Sequence, residues 1–553
     1  MRKMRFLGAA SAVCLLLAGC TGTQKPAGKQ EEGKVFTAFM AVPGKVLPRD
    51  NRIMNRIADK IGAKAKITWL DSQTAEEMIQ VMNESGEYPD FIDGSDATKL
   101  LIEAGALIPL DEYIEEYPNI IQYLSEEEWN RLRQKDGHIY VIPQFGVTEG
   151  ETMTTQHPDE AFWIQKRVLK WAGYPTVRTL DEYFDLIEAY LEANPESEGG
   201  KKNIGFEILC DDWRYFCLEN PPQFLAGYPN DGCGIVDSDT LEVSVYDDLP
   251  EARQYYQRLN REYERGVLDQ EAFTLSYDQY LEKIASGRVL GMVDQYWQFQ
   301  TAELALRENG MDDRTYVPLG ITANEDIVDA YRTKPIAASG KGIGITISCE
   351  DVEGALQFLN DLLEPEIQIL RTWGEEGIDY EVGEDGIFYR TQEQRLQEED
   401  SQWALENKCP YSYFPHTEGM LEDGKNAAAP GEQPGEYYAT LTEGDRELLD
   451  AYGYEKWTDF LTLVKENPPW FPLYSALDTW SADTPYGKAR EDMERVKREW
   501  LPKVIMAGEE QFDEMWEEYQ KSYHSQVDVE AYERELTEEV ARRAAMAESD
   551  TIE

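Results

Sequence analysis

The sequence predicts an α/β fold with mostly parallel sheets flanked by helices, and three observations carry that expectation. The first is an alternation of short apolar runs with helix-period segments from Val35 to Ile92. The second is a similar alternation from Phe162 to Val293. The third is size: 553 residues, 42% of them hydrophobic, suffice for two large lobes or several conventional domains. With charged residues at 29%, the composition is that of a globular chain rather than a disordered one.

The chain opens on an address. Arg2, Lys3 and Arg5 are basic, Phe6 to Ala18 are mainly apolar, and Leu17-Ala18-Gly19-Cys20 closes the segment. The apolar run is too short to span a bilayer, and no stop-transfer pattern follows it. Ala18 and Gly19 leave room for a peptidase, while the Cys20 thiol can carry a diacylglycerol. The motif resembles the bacterial lipobox. Residues 1–19 are therefore expected to be a lipoprotein signal peptide, and residues 20–34 a flexible tether behind a lipidated Cys20. No other segment is long and apolar enough to cross a membrane.

Val35–Met40 reads as a strand, broken by Pro43-Gly44. Ile53, Met54, Ile57, Ala58 and Ile61 recur at helical spacing, and Gly62 ends that helix. Ala65–Trp69 alternates as a second strand, and after another helix Tyr88–Ile92 supplies a third. This order implies a parallel sheet, whose ligands collect at the carboxyl ends of the strands. The second run holds a capping box at Thr179 and Glu182, then a helix burying Tyr183, Phe184, Ile187, Tyr190 and Leu191. Strand Asn203–Leu209, a helix around Glu251–Glu264 and strand Val289–Val293 follow. Beyond them come strand Ile343–Ile347, a second capping box expected at Ser348 and Asp351, and a helix carrying Phe512, Met515, Trp516, Tyr519 and Tyr523 on one face. The alanine-rich tail from Val540 is expected to fray.

Charge narrows the function. Lys and Arg total 53 against 107 Asp and Glu, a formal net charge of −54. Nucleic acid and anionic membrane surfaces both demand a basic face, so neither is an expected partner. The four histidines are scattered, and the cysteines lack the paired short spacing of a zinc site, so no metal or cofactor is expected. Of the five mature cysteines, Cys210, Cys217 and Cys233 are close enough in sequence to form one disulfide. Gly340-Lys341-Gly342 lacks the strand-before, helix-after context of a phosphate loop, and Asp237-Ser238-Asp239 lacks the rest of a calcium loop.

Several segments together resemble a known family. They are Tyr88-Pro89-Asp90, Ala106–Tyr113, Gly137–Pro143, Phe162–Lys166, Pro175–Tyr183 and Ile284–Met292 with Trp297 following. In this order they are similar to extracellular solute-binding lipoproteins of bacterial ABC sugar importers. Gly374–Val382 and Phe512–Tyr519 resemble the long oligosaccharide (aldouronate-type) subgroup. The likeness runs from about residue 35 to 535, with Asp211–Cys233 and Gln392–Pro434 departing from it. It implies a two-lobed periplasmic-binding-protein-like fold of type II. Lobe one would hold 35–143 with about 335–375, and lobe two about 151–320 with 390–553. It also implies a monomer on the outer face of the cell membrane, held only by its N-terminal lipid. There it would pass a carbohydrate to ABC permease transmembrane subunits.

A neutral sugar offers hydroxyls at its rim and C–H bonds on its faces, so a site needs aromatic plates and polar rim groups. Trp297 ends an apolar strand where the resemblance places a sugar-stacking Trp, with Asp294 as a rim acceptor beside it. Trp213, after Asp211-Asp212, is a second plate. In lobe one the expected ligand-binding residues are Asp93 and Asp96 after the third strand and Trp69 at the end of the second, whereas Trp163 reads as core. No catalytic residue is expected. The competing readings are a secreted glycoside hydrolase with a carboxylate pair, and a receptor for peptide or another solute on the same scaffold.

Overall fold

The computed structural model describes residues 33–549, apart from 45–47, 49, 72, 135, 151–153, 198–199, 337–340, 464–466 and 475–483. The expected signal peptide, Cys20 and the tether up to residue 32 lie outside the described residues.

Eight strands matter for the site: β1 (Lys34–Pro43), β2 (Ala63–Leu70), β3 (Phe91–Asp93), β4 (Glu160–Gln165), β5 (Ile204–Glu207), β6 (Val289–Gln295), β7 (Tyr316–Leu319) and β8 (Ile343–Ile345). They form two four-stranded sheets, one ordered β8-β3-β1-β2 and the other β7-β4-β6-β5. In the first sheet β1 runs parallel to both β2 and β3, pairing Ala38 with Ile67 and with Phe91, and only β8 is reversed. The second sheet departs from the parallel expectation. There β5 and β6 are parallel, but β4 runs against both β6 and β7. The chain enters this lobe at the edge where β5 and β6 end, so Glu160 at the start of β4 sits opposite Gln295 at the end of β6.

Local signals set the elements. Asn51 caps the helix Arg52–Ile61 by accepting from the Met54 amide, and Gly62, with φ 74°, closes it in the left-handed region. Thr179 and Glu182 form the expected capping box of the helix Leu180–Ala193. The box expected at Ser348 is corrected: Asp351 itself caps the helix Val352–Leu362, its Oδ1 accepting from the Gly354 amide at 3.0 Å. A carboxylate three residues before a free amide satisfies it directly, which leaves Ser348 no capping role.

Each sheet has its own core. The first gathers Phe36, Met40, Ile57, Phe91, Ile343 and Leu359. Tyr411 and Phe414, expected in lobe two, pack here instead, and the Tyr411 hydroxyl accepts from the Ala65 amide at 3.0 Å. The second core gathers Phe162, Trp163, Tyr183, Phe206, Tyr255 and Met292, and continues through Val496, Tyr519 and Val540. Gly291 in β6 belongs to this fit, since a Cβ there would lie 2.2 Å from the Tyr183 hydroxyl, which donates to the Trp163 carbonyl at 2.6 Å. As far as Ser549 the tail is helical, and Val540 is fully buried within the helix Val529–Ser549. Cys210 and Cys217 are free thiols, so the disulfide that the spacing of these two and Cys233 allowed is not formed.

Charge is buried where it is compensated. Lys497 is almost inaccessible, 3.0 Å from Asp247 and 3.5 Å from Glu219. Burial works against its proton, but Asp247, Tyr246 and Glu219 outweigh that and hold its pKa well above the ordinary lysine value.

Candidate functional site

Between the two cores lies a cleft of about 1000 Å³. Its lobe-two wall is the sheet edge where β5 and β6 end and β4 begins, the position at which open α/β sheets collect ligands. The loop after β5 carries Trp213, and the end of β6 turns directly into the helix Tyr296–Glu308, which carries Trp297. Because β5 and β6 are neighbours, the two indoles meet. Their planes lie within 13° of each other with centroids 6.0 Å apart. Trp213 is 51% exposed and Trp297 46%, so each keeps about half its surface open to the cleft.

Both rings are held. The Trp297 indole N–H donates to Gln295 Oε1 at 3.2 Å. The Arg214 guanidinium lies 4.5 Å from the Trp213 ring centroid and 4.1 Å from that of Tyr277, a cation between two aromatic faces. The Tyr277 amide in turn donates to Asp211 Oδ2 at 2.9 Å, pinning the loop. Asp212 takes φ 51°, an uncommon conformation for a residue with a side chain, and Arg498 Nη2 donates to its carbonyl at 2.6 Å.

The lobe-one wall is smaller. Phe145, 42% exposed, packs edge-on against Tyr413 and His416 at 5.4 and 5.8 Å. Burial and the nearby Arg371 lower the His416 pKa to about 4, so this imidazole is neutral. At the cleft wall, His157 is also kept neutral by burial, one ring nitrogen 3.2 Å from the Glu160 carbonyl. Glu160 is fully buried, and desolvation raises its pKa well above the ordinary value.

The model of the bacterial extracellular solute-binding proteins matches residues 54–374, more than half of the chain. The chain belongs to that family. Among relatives of this solute-binding protein, the lipoprotein LipO of Bacillus subtilis is 21% identical over 388 residues, covering 68% of this chain and 73% of LipO. The fructooligosaccharide ABC transporter substrate-binding protein FusA of Streptococcus pneumoniae is 25% identical over 51% of this chain and 55% of its own length. The polygalacturonan/rhamnogalacturonan-binding protein YtcQ of Bacillus subtilis is 22% identical over 68% of this chain and 74% of its own. Among solved structures, FusA of S. pneumoniae in complex with kestose has a TM-score of 0.64 at 18% identity, covering 93% of this chain and all of that one. The alginate-binding protein AlgQ2 gives 0.62 at 15%, covering 93% of this chain and 99% of its own. At such identities the structural likeness establishes the fold: two lobes of the periplasmic-binding-protein type about a cleft.

Within this solute-binding protein the residues expected from sequence separate. Trp297 and Trp213 come together in the cleft. Asp294 is a correction, since it is fully buried and turned away from the cleft. Its Oδ1 accepts from Gln298 at 2.6 Å, the Gln295 amide at 2.7 Å and the Cys217 thiol at 3.4 Å, and its Oδ2 accepts from the Tyr280 hydroxyl at 2.6 Å. A carboxylate so satisfied serves the β6 turn rather than a ligand.

Asp93 is likewise buried, accepting from the Ser95 amide and the Gln144 side chain, both at 2.7 Å. It does not line the cleft. Asp96 is exposed and pairs with Lys341 outside the cleft lining. Trp69 lines a separate groove of about 730 Å³ along β2, where a Cβ on Gly44 would fall 2.1 Å from its ring. Trp163 is core, as its setting predicts, with its indole N–H donating to the Asp294 carbonyl at 2.7 Å. Sequence reasoning missed Phe145, Tyr474, Arg332, Arg490 and Arg498. The one signal for Phe145 was an aromatic just after Pro143-Gln144, at the exit from lobe one.

Proposed function

We propose that this solute-binding protein captures an oligosaccharide in its interlobe cleft and delivers it to the transmembrane subunits of an ABC importer, as a monomer anchored through Cys20. One observation carries the reading: a parallel pair of half-exposed indoles in a cleft between two lobes. Indole faces match the C–H faces of sugars, and a volume at the upper end of the usual range for small-molecule pockets suits an oligomer. The names of FusA and YtcQ support the ligand class.

Purified protein incubated with a glycan panel is expected to give a ligand-dependent rise in melting temperature while the glycan stays intact. A glycan present at a hundred times its Kd stabilises the folded state by about 2.7 kcal/mol. Release of new reducing ends without saturable stabilisation would favour the hydrolase and overturn the proposal. The anchor has its own test: Cys20→Ser is expected to move the protein from the membrane fraction to the medium, and continued membrane retention would exclude lipidation at that residue.

A further inference from the structure

Family membership leaves the ligand's charge open, since relatives are named for neutral and for acidic glycans alike. The charged groups around the cleft decide it. Three of its four lining cations are already engaged. Arg498 donates to the Asp212 carbonyl and lies over Tyr215, and Arg490 pairs with Glu494 at 3.4 Å. Arg332 sits in the field of Asp459, and Lys334 has partners of its own. The carboxylates are not matched in the same way. Asp159 and Asp212 line the cleft with exposed side chains. Glu418 lines it too, and its nearest basic group is His416 at 4.0 Å, an imidazole that burial keeps neutral. Deeper in, desolvation and then the Glu432 carboxylate raise the Glu418 pKa, desolvation raises that of Glu432, and burial lifts Asp231 to about 7. The site is short of positive charge before any ligand arrives.

We infer that the cleft selects uncharged oligosaccharides and excludes oligouronates. This rests on the sugar-capture reading above and adds the charge class. A uronate would place further carboxylates beside Asp159, Asp212 and Glu418 in a partly desolvated space where, among the described residues, lining carboxylates already outnumber lining cations. The repulsion acts against the wrong ligand without costing the right one anything, because hydroxyls accept from arginines and donate to carboxylates alike.

The test is calorimetric titration of the full mature chain with two probe sets of matched length. One set holds neutral fructo-, xylo-, manno- and cello-oligosaccharides, and the other holds oligogalacturonates and alginate oligomers. At least one neutral glycan is expected to bind with an affinity that salt leaves nearly unchanged, and every uronate to be weaker by about a hundredfold or more. The double variant Asp159→Asn/Glu418→Gln is expected to narrow that gap by about tenfold. A uronate that binds more tightly than all neutral glycans would overturn the inference. So would a gap that the double variant leaves unchanged. Silence from both sets would instead defeat the sugar-capture reading on which the inference rests.

Discussion

Replacing Trp297 with alanine is expected to weaken glycan binding by about a hundredfold, close to 2.7 kcal/mol, while the protein still melts in one cooperative transition. The fold tolerates the loss because the ring is nearly half exposed and its one hydrogen bond runs to Gln295, two residues away. Binding suffers because the indole is one of two parallel plates, and Trp213 alone cannot cover the same sugar face. Trp297→Phe keeps a smaller aromatic face and should recover part of the affinity. Calorimetry decides the matter: a Trp297→Ala protein that binds like the parent would remove this residue from the site.

Asp294→Ala is expected to act on the opposite quantity, lowering stability by about 3–5 kcal/mol. Removing the carboxylate strands the donors of Tyr280, Gln298, Cys217 and the Gln295 amide inside the second core. Affinity should fall as well, because the same carboxylate fixes the turn from which Trp297 projects. Denaturant unfolding measures the first effect, and a loss below about 1 kcal/mol would contradict the network.

The pH dependence has a definite sign. Burial raises the Asp294 pKa from 3.8 to about 6, with its hydrogen bonds opposing the rise. A carboxyl that holds its proton more tightly when folded contributes stability that is full below pH 3.8 and lost as pH rises through about 6. Asp294→Asn removes that titration. The stability of the parent relative to this variant should therefore decline across that window and level off above it.

The sequence made the local elements legible because their signals are local. Helix caps at Thr179 and Gly62, the alternation of β2 and the apolar run of β6 all depend on near neighbours. Both indoles could be anticipated for the same reason, each following a strand that a parallel sheet would end at the cleft. Asp294 could not, because an acidic residue at the end of an apolar strand reads alike whichever way it points. In the folded chain Gln295 lines the cleft while Asp294, one residue earlier, points into the sheet's interior, as the two-residue repeat of a strand requires. The burial of Asp93 was hidden in the same way, since its acceptor role depends on Gln144, 51 positions away.

By itself, then, the order of residues settled the family, the α/β alternation, the acidic charge and the pair of candidate indoles. Tertiary structure alone decided the reversed β4, the placement of Tyr411 and Phe414 in the first core, the burial of Asp294 and Asp93, and the carboxylates gathered round the cleft. The reason is physical. Strand and cap preferences are written within a few residues, whereas burial and electrostatic surroundings arise only when segments hundreds of residues apart are packed together.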